Sequence, residues 1–196
     1  MTDFSSAIGV ENIDAGATGN PSMFYVVSRR KLAVLYILTL GGYGVYWFYQ
    51  NWARYNRNSP DAASAGRSVW ALPRAVFSVF FIHDLFARIK AYGSLKNEVG
   101  IWESKPHATI LVGLLLLSNV LDRAVNKDIG APYTDVLALL VLLPLAQQFA
   151  LAQEMINISC GDRHGETNSK FSGANFAWIL VGSAAWLLIL WALLLA

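Results

Sequence analysis

The chain has little charge and almost no cysteine, and both shortages narrow what it can be. Asp, Glu, Lys and Arg make up 14% of its 196 residues, against about a quarter in an ordinary soluble domain. A single cysteine, Cys160, excludes an internal disulfide framework. Residues 1–28 hold no Lys or Arg and no apolar core, so no secretory signal of the usual form is expected there. No Gly-rich phosphate loop, H-E-x-x-H, G-x-S-x-G or EF-hand pattern occurs. The basic residues stand at the edges of apolar runs and form no stripe, so no nucleic-acid partner is expected. No internal repeat of the kind many transporters carry is evident, and no cofactor is implied.

Apolar sequence is what the chain has in abundance: 55% of its residues are hydrophobic. Five stretches are candidates for membrane spans, at 32–49, 69–86, 108–121, 136–152 and 176–196. A hydrocarbon core of about 30 Å needs roughly 20 helical residues, and only the last stretch meets that unaided. The stretches do not alternate polar with apolar residues. Lipid offers no partner for a bare backbone N–H or C=O, so helices are expected and a transmembrane barrel is not. The expected fold is all-α: a polytopic helical membrane protein with five hydrophobic helical segments. Residues 23–196 form one helical membrane domain behind a mobile tail at 1–22.

Charge placement orients this domain. Arg29, Arg30 and Lys31 precede the first segment, which puts the N-terminus in the cytoplasm. Arg163 and Lys170 precede the last segment and nothing basic follows it, so the C-terminus is expected to be periplasmic or external. The crossings are then odd in number. Five would place Arg54, Arg57, Arg67, Arg74, Arg123 and Lys127 outside. Three, with the first two segments partial or interfacial, would leave only Arg123 and Lys127 there. Segment length favours five and charge favours three.

The stretch LYILTLGGYGVYWFYQNW, residues 35–52, bears on that choice. Gly41 and Gly42, with Gly44 behind them, are expected to bend or break the first helix. The aromatics after the break, Tyr43, Tyr46, Trp47, Tyr49 and Trp52, are expected to sit at the membrane interface. The alternative is an ordinary span whose glycines let helices pack closely. Further on, Pro144 is expected to kink the fourth segment. The small run Gly182-Ser183-Ala184-Ala185 suits the seat of a neighbouring helix.

The stretch MFYVVSRRKLAVLYILTLGGYGVYWFYQNW resembles the opening of uncharacterised bacterial multi-pass inner-membrane proteins containing domain of unknown function 4234. The shared features are a basic entry, a T-x-G-x-Y-G-x-Y-W core and several later hydrophobic helices, with the match mainly at residues 24–55. Here Gly42 doubles the glycine of that core. The resemblance implies a bacterial cytoplasmic membrane location and supplies no catalytic residues.

Three groups of residues are candidates for a site. Cys160, Asp162 and His164 are types that bind zinc or pair as nucleophile and base, against the reading of a Gly-rich polar turn between helices. His83 and Asp84, with Gln147 and Gln148 beside Pro144, are candidates for an intramembrane polar site. Against that stand interfacial placement for the first pair and cross-helix hydrogen bonding for the second. The leading expectation is a structural, scaffold or accessory role through contacts with the lipid bilayer, other membrane proteins or a second copy of the chain. The alternatives are a small transporter or lipid-handling protein and, third, a membrane enzyme or metal protein using the Cys160–His164 loop.

Overall fold

The computed structural model describes residues 22–59, 70–95 and 102–195. All regular structure among them is helical. The helices are α1 (Arg29–Leu38), α2 (Gly42–Asn58), α3 (Ala71–Val76), α4 (Ser78–Ser94), α5 (Ser104–Val125), α6 (Tyr133–Leu140), α7 (Leu142–Ser159) and α8 (Gly173–Leu195). A 3₁₀ turn, Glu166–Asn168, lies between α7 and α8. The tail expected over residues 1–22 falls outside the described residues, Ser22 excepted.

Three of these elements are long and apolar enough to cross a membrane: α5, the stretch Tyr133–Ser159 that joins α6 to α7, and Gly173–Trp191 of α8. Five hydrophobic segments were expected, with segment length favouring five crossings and charge three, and the first two segments are not long enough as helices to count as spans. Both are divided into shorter helices, and the reason is clearest in the first. After Leu38 the chain makes a Schellman turn. Leu40 N–H bonds Ile37 O at 3.1 Å, and Gly41 N–H bonds Tyr36 O at 2.8 Å. Leu40 and Gly41 both have positive φ, 50° and 85°, a conformation that ends a right-handed helix. Thr39 then starts the next helix, its Oγ1 accepting Tyr43 N–H at 2.9 Å. The break spans residues 39–41 and so takes in Gly41 of the expected Gly41-Gly42 pair, while Gly42 and Gly44 lie in α2. In the second segment α3 ends at Phe77, and neither glycine nor proline marks that break.

The α6–α7 joint follows from Pro144. Proline has no N–H to give the Leu140 carbonyl, and its ring crowds that carbonyl. The helix loosens at Val141, and α7 resumes with Leu145 N–H on Val141 O at 3.2 Å.

The packing is lopsided along the spans. The tip of the α1–α2 pair meets Leu142 near the middle of the α6–α7 stretch. It also meets Gly182 and Trp186 near the middle of α8. Between them, α1 packs on α7 and α8, α2 packs on α3, and α4 packs on α5 and α7. The buried core lies on this side: Phe24, Leu32, Trp47, Trp52, Phe86, Phe149 and Ile156 are all sealed in it. Beyond the tips α5 still packs on α6 and α7, but few of the side chains there are sealed from the surface. In α5 only Ser104, Ala108 and Leu111 are buried, and in α6 nothing is. The small run in α8 does seat a neighbour, because Gly182 lies against α1 so closely that a Cβ there would sit 1.9 Å from Leu38 O.

Candidate functional site

The site grows from a stretch of chain that is neither helix nor strand. Residues 22–28 run beside α2 and α7 with their backbone groups buried and no ladder to satisfy them. Each such group left unpaired would cost about 1–3 kcal/mol, and amide side chains fill the need. Asn51 Oδ1 accepts Tyr25 N–H at 3.1 Å. Gln153 Nε2 donates to Tyr25 O at 2.9 Å, Asn168 Nδ2 to Val26 O at 3.0 Å, and Asn157 Nδ2 to Val27 O at 2.9 Å. Asn58 Nδ2 holds Ser22 O at 2.8 Å. The clip is tied to the core as well. Gln153 Oε1 accepts Trp47 Nε1–H at 2.5 Å, and its Nε2 reaches Asn157 Oδ1 at 2.7 Å. Ser28 closes the stretch as the N-cap of α1, accepting Lys31 N–H at 3.3 Å.

A cavity of about 750 Å³ opens between this clipped stretch, α2, the 160–172 loop and the start of α8. Tyr25 is part of its wall. The Arg54 guanidinium lies over the Tyr25 ring, 5.1 Å from its centroid, and Tyr46 meets the ring edge-on at 6.0 Å. The Tyr25 hydroxyl is 3.2 Å from both Tyr43 Oη and Asn168 Nδ2. Asn168 Nδ2 donates to the Tyr25 hydroxyl, and between the two phenols either oxygen can be the donor. Burial, then the Tyr25 neighbour, pushes the Tyr43 phenol above its ordinary value, so it is a neutral donor.

Lys31, Arg54 and Lys170 are the cations of the wall, and Asp162 is its acid. Lys31 is only 4% exposed. Its Nζ donates to Asn168 Oδ1 and to Lys170 O, each at 2.7 Å, and burial lowers its pKa. Asp162 is engaged by the loop: its oxygens accept Glu166 N–H at 2.9 Å, Thr167 N–H at 3.0 Å and Thr167 Oγ1–H at 2.7 Å. Burial alone would raise this carboxyl. The bonds from Thr167, Glu166 and Gly165 outweigh burial and hold it below its ordinary value. The Ser172–Asn175 pair starts α8 as a reciprocal cap, with Asn175 Oδ1 accepting Ser172 N–H at 2.9 Å and Ser172 Oγ accepting Asn175 N–H at 3.4 Å.

The residues singled out from sequence fall as follows. Cys160 and Asp162 line this cavity, while His164 is exposed and outside its wall. Among the described residues no three His, Cys, Asp or Glu side chains gather as a metal group. His83 Nε2 lies 3.2 Å from Thr109 Oγ1. Asp84 joins two arginines, accepting from Arg74 at 2.7 Å and Arg88 at 2.9 Å. The Arg74 guanidinium is held between the Trp52 and Phe81 rings. Gln147 is exposed, and the Gln148 carbonyl accepts from His107 Nε2 at 3.1 Å. His83, Asp84, Gln147 and Gln148 do not line the cavity.

The aromatics after the glycine break also divide. Tyr46 and Tyr49 are exposed, but Tyr43, Trp47 and Trp52 are inside the protein. Trp47 and Trp52 therefore pack the core instead of meeting lipid headgroups, which revises the interfacial reading for those two, while Tyr43 is buried with its hydroxyl in the cavity wall. Asn51, Gln153, Asn157 and Asn168 were not singled out from sequence. Gln153 and Asn157 share a helix face with Phe149 and Ile156, and amides on so apolar a face were the available signal. No protein-family model, curated protein or solved structure matches the chain.

Proposed function

We propose that this is an accessory, lipid-handling protein of the bacterial inner membrane, anchored by three crossings and holding an amphiphile at its basic end. The observation that carries this reading is the cavity of about 750 Å³ lined by Lys31, Arg54 and Lys170 on one hand and by Tyr46 and Trp178 on the other. Its volume lies in the range of small-molecule sites, about 300–1,000 Å³. Its mixture of cations, hydroxyls and exposed rings matches a molecule with a polar head and an apolar body. A purely structural scaffold would need the clip and the helix packing but not this hollow.

The basic end, which carries every described Lys and Arg except Arg123 and Lys127, is the cytoplasmic one in this reading. The N-terminus is then cytoplasmic, and α8 runs outward. The resemblance of residues 24–55 to bacterial proteins with domain of unknown function 4234 supports the bacterial membrane setting. The α1–α2 and α3–α4 pairs enter from the cytoplasmic side and return to it. The α1–α2 bend packs against Leu142 and Gly182, as irregular chain at membrane depth requires, whereas Phe77 at the α3–α4 bend is exposed.

The test is recovery of ligand. The full chain is extracted in mild detergent, washed, and its retained lipid identified by mass spectrometry. A retained amphiphile that is lost in the Tyr46→Ala/Trp178→Ala variant is the expected result. A chain that retains none, and takes up none when lipids are added back, overturns the reading.

A further inference from the structure

The cavity carries a more specific inference, which rests on the binding reading above. We infer that it takes a phosphate-bearing glycerol headgroup, with Lys31, Arg54 and Lys170 facing the phosphate and the Tyr43 hydroxyl and Gln50 facing the glycerol hydroxyls.

Among the described residues no carboxylate pairs with Lys31. Lys31 is buried, and a buried ammonium is costly unless an anion meets it. Its two partners are neutral oxygens, Asn168 Oδ1 and Lys170 O. No ion pair among the described residues includes Lys31, Arg54 or Lys170. The carboxylate in the wall, Asp162, accepts three hydrogen bonds from Thr167 and Glu166 and makes no ion pair with these cations. One ammonium N–H of Lys31 thus remains for an incoming anion. Arg54 spends one donor on Ser22 Oγ at 3.0 Å and is held flat over Tyr25. Its remaining N–H groups form the planar fork that suits phosphate.

Size and shape then argue for more than a bare anion. The cavity is larger than an inorganic ion requires, and hydroxyl and amide groups line it beside the cations: Tyr25, Tyr43, Gln50, Ser172 and Asn175. The Tyr25 and Tyr43 hydroxyls, 3.2 Å apart in the wall, offer a hydrogen-bonding pair to a hydroxyl or ester oxygen. Arg54 lies eight residues beyond Tyr46 on α2, about 12 Å along the helix. Tyr46 and Trp178 are both exposed at the wall, so an apolar tail has a margin to leave by.

The test uses the full chain in detergent. Native mass spectrometry follows its titration with dioleoyl phosphatidylglycerol and with dioleoylglycerol, which has the same tails and no phosphate. A thermal-shift titration with soluble glycerol 3-phosphate runs beside it. Lys31 is left intact because it also ties the 160–172 loop to α1. The expected result is a preference for the phospholipid of about tenfold or more over dioleoylglycerol. Arg54→Gln/Lys170→Gln should remove most of that preference and leave dioleoylglycerol binding unchanged. Arg57→Gln/Arg163→Gln, the same charge change outside the cavity, should leave both unchanged. Glycerol 3-phosphate binding that depends on Arg54 and Lys170 supports the inference with a soluble ester as ligand; its failure beside phospholipid binding supports it with a lipid. Equal binding of phospholipid and dioleoylglycerol, or equal effects of the two double variants, overturns the inference and leaves the broader reading intact. Absence of binding by both lipids and by glycerol 3-phosphate overturns both.

Discussion

The two ends of the spans solve different problems. At the basic end a non-helical stretch, two broken helix pairs and a loop are folded together, and nearly every group has a named partner. At the opposite end α5, α6 and the later turns of α8 carry exposed leucines, valines and tryptophans with little packed against them. Lipid tails are as apolar as leucine, so plain helices need no protein cover there. Irregular backbone does need cover, because no water will satisfy it. The amide clip of Asn51, Gln153, Asn157 and Asn168 lies where the chain departs from helix.

The sharpest contrast pairs two helical glycines. Gly182 touches the α1 backbone, whereas a Cβ at Gly113 would meet nothing within 4 Å. Gly182→Leu should separate α1 from α8 and cost about 4 kcal/mol, among the largest single-site effects. Gly113→Leu should stay within about 0.5 kcal/mol, as a surface change does. Thermal unfolding of the two variants in the same detergent compares them. Equal losses would mean that α5 is packed at Gly113 as tightly as α8 is at Gly182.

The next contrast pairs two amides. Gln153→Leu strands Trp47 Nε1–H and Tyr25 O in the core and should cost about 3 kcal/mol. Asn119, exposed in α5, donates to Leu115 O within its own helix at 2.8 Å. Asn119→Leu should change little, with the same denaturation measurement as the check.

A smaller effect is expected at Asp162. Losing its cap-like bonds in Asp162→Ala should cost about 1 kcal/mol. Its folded pKa is depressed, so its contribution is present above the ordinary 3.8 and is lost only as pH falls through the lower folded value. Acid unfolding of the wild type should therefore carry a component below pH 3.8 that Asp162→Asn removes. Identical acid profiles would show that the loop bonds contribute nothing.

Much of this contrast is legible in the sequence where local chemistry decides. Gly41 supplies the positive φ that ends α1, Pro144 loosens the α6–α7 joint, and the small run at Gly182 admits α1. The bias of Lys and Arg already favoured three crossings. Segment length pointed to five because an apolar run reads alike against lipid and against protein. The same ambiguity made Trp47 and Trp52 read as interface residues, though their neighbours are Phe48, Phe149 and Tyr55. The clip was hidden because its partners lie far apart: Gln153 meets a carbonyl 128 residues earlier. The break at Phe77 has no local signature.

The most direct measurement is the sidedness of residue 58. In a Cys160→Ser background, Asn58→Cys and Asn126→Cys are labelled with a membrane-impermeant maleimide in intact spheroplasts and in inverted vesicles. If α1 and α2 form a returning pair at the basic end, Asn58→Cys reacts only in inverted vesicles and Asn126→Cys only in spheroplasts. Reaction of both sites from the same face would contradict the division of the molecule into a folded basic end and three plain spans.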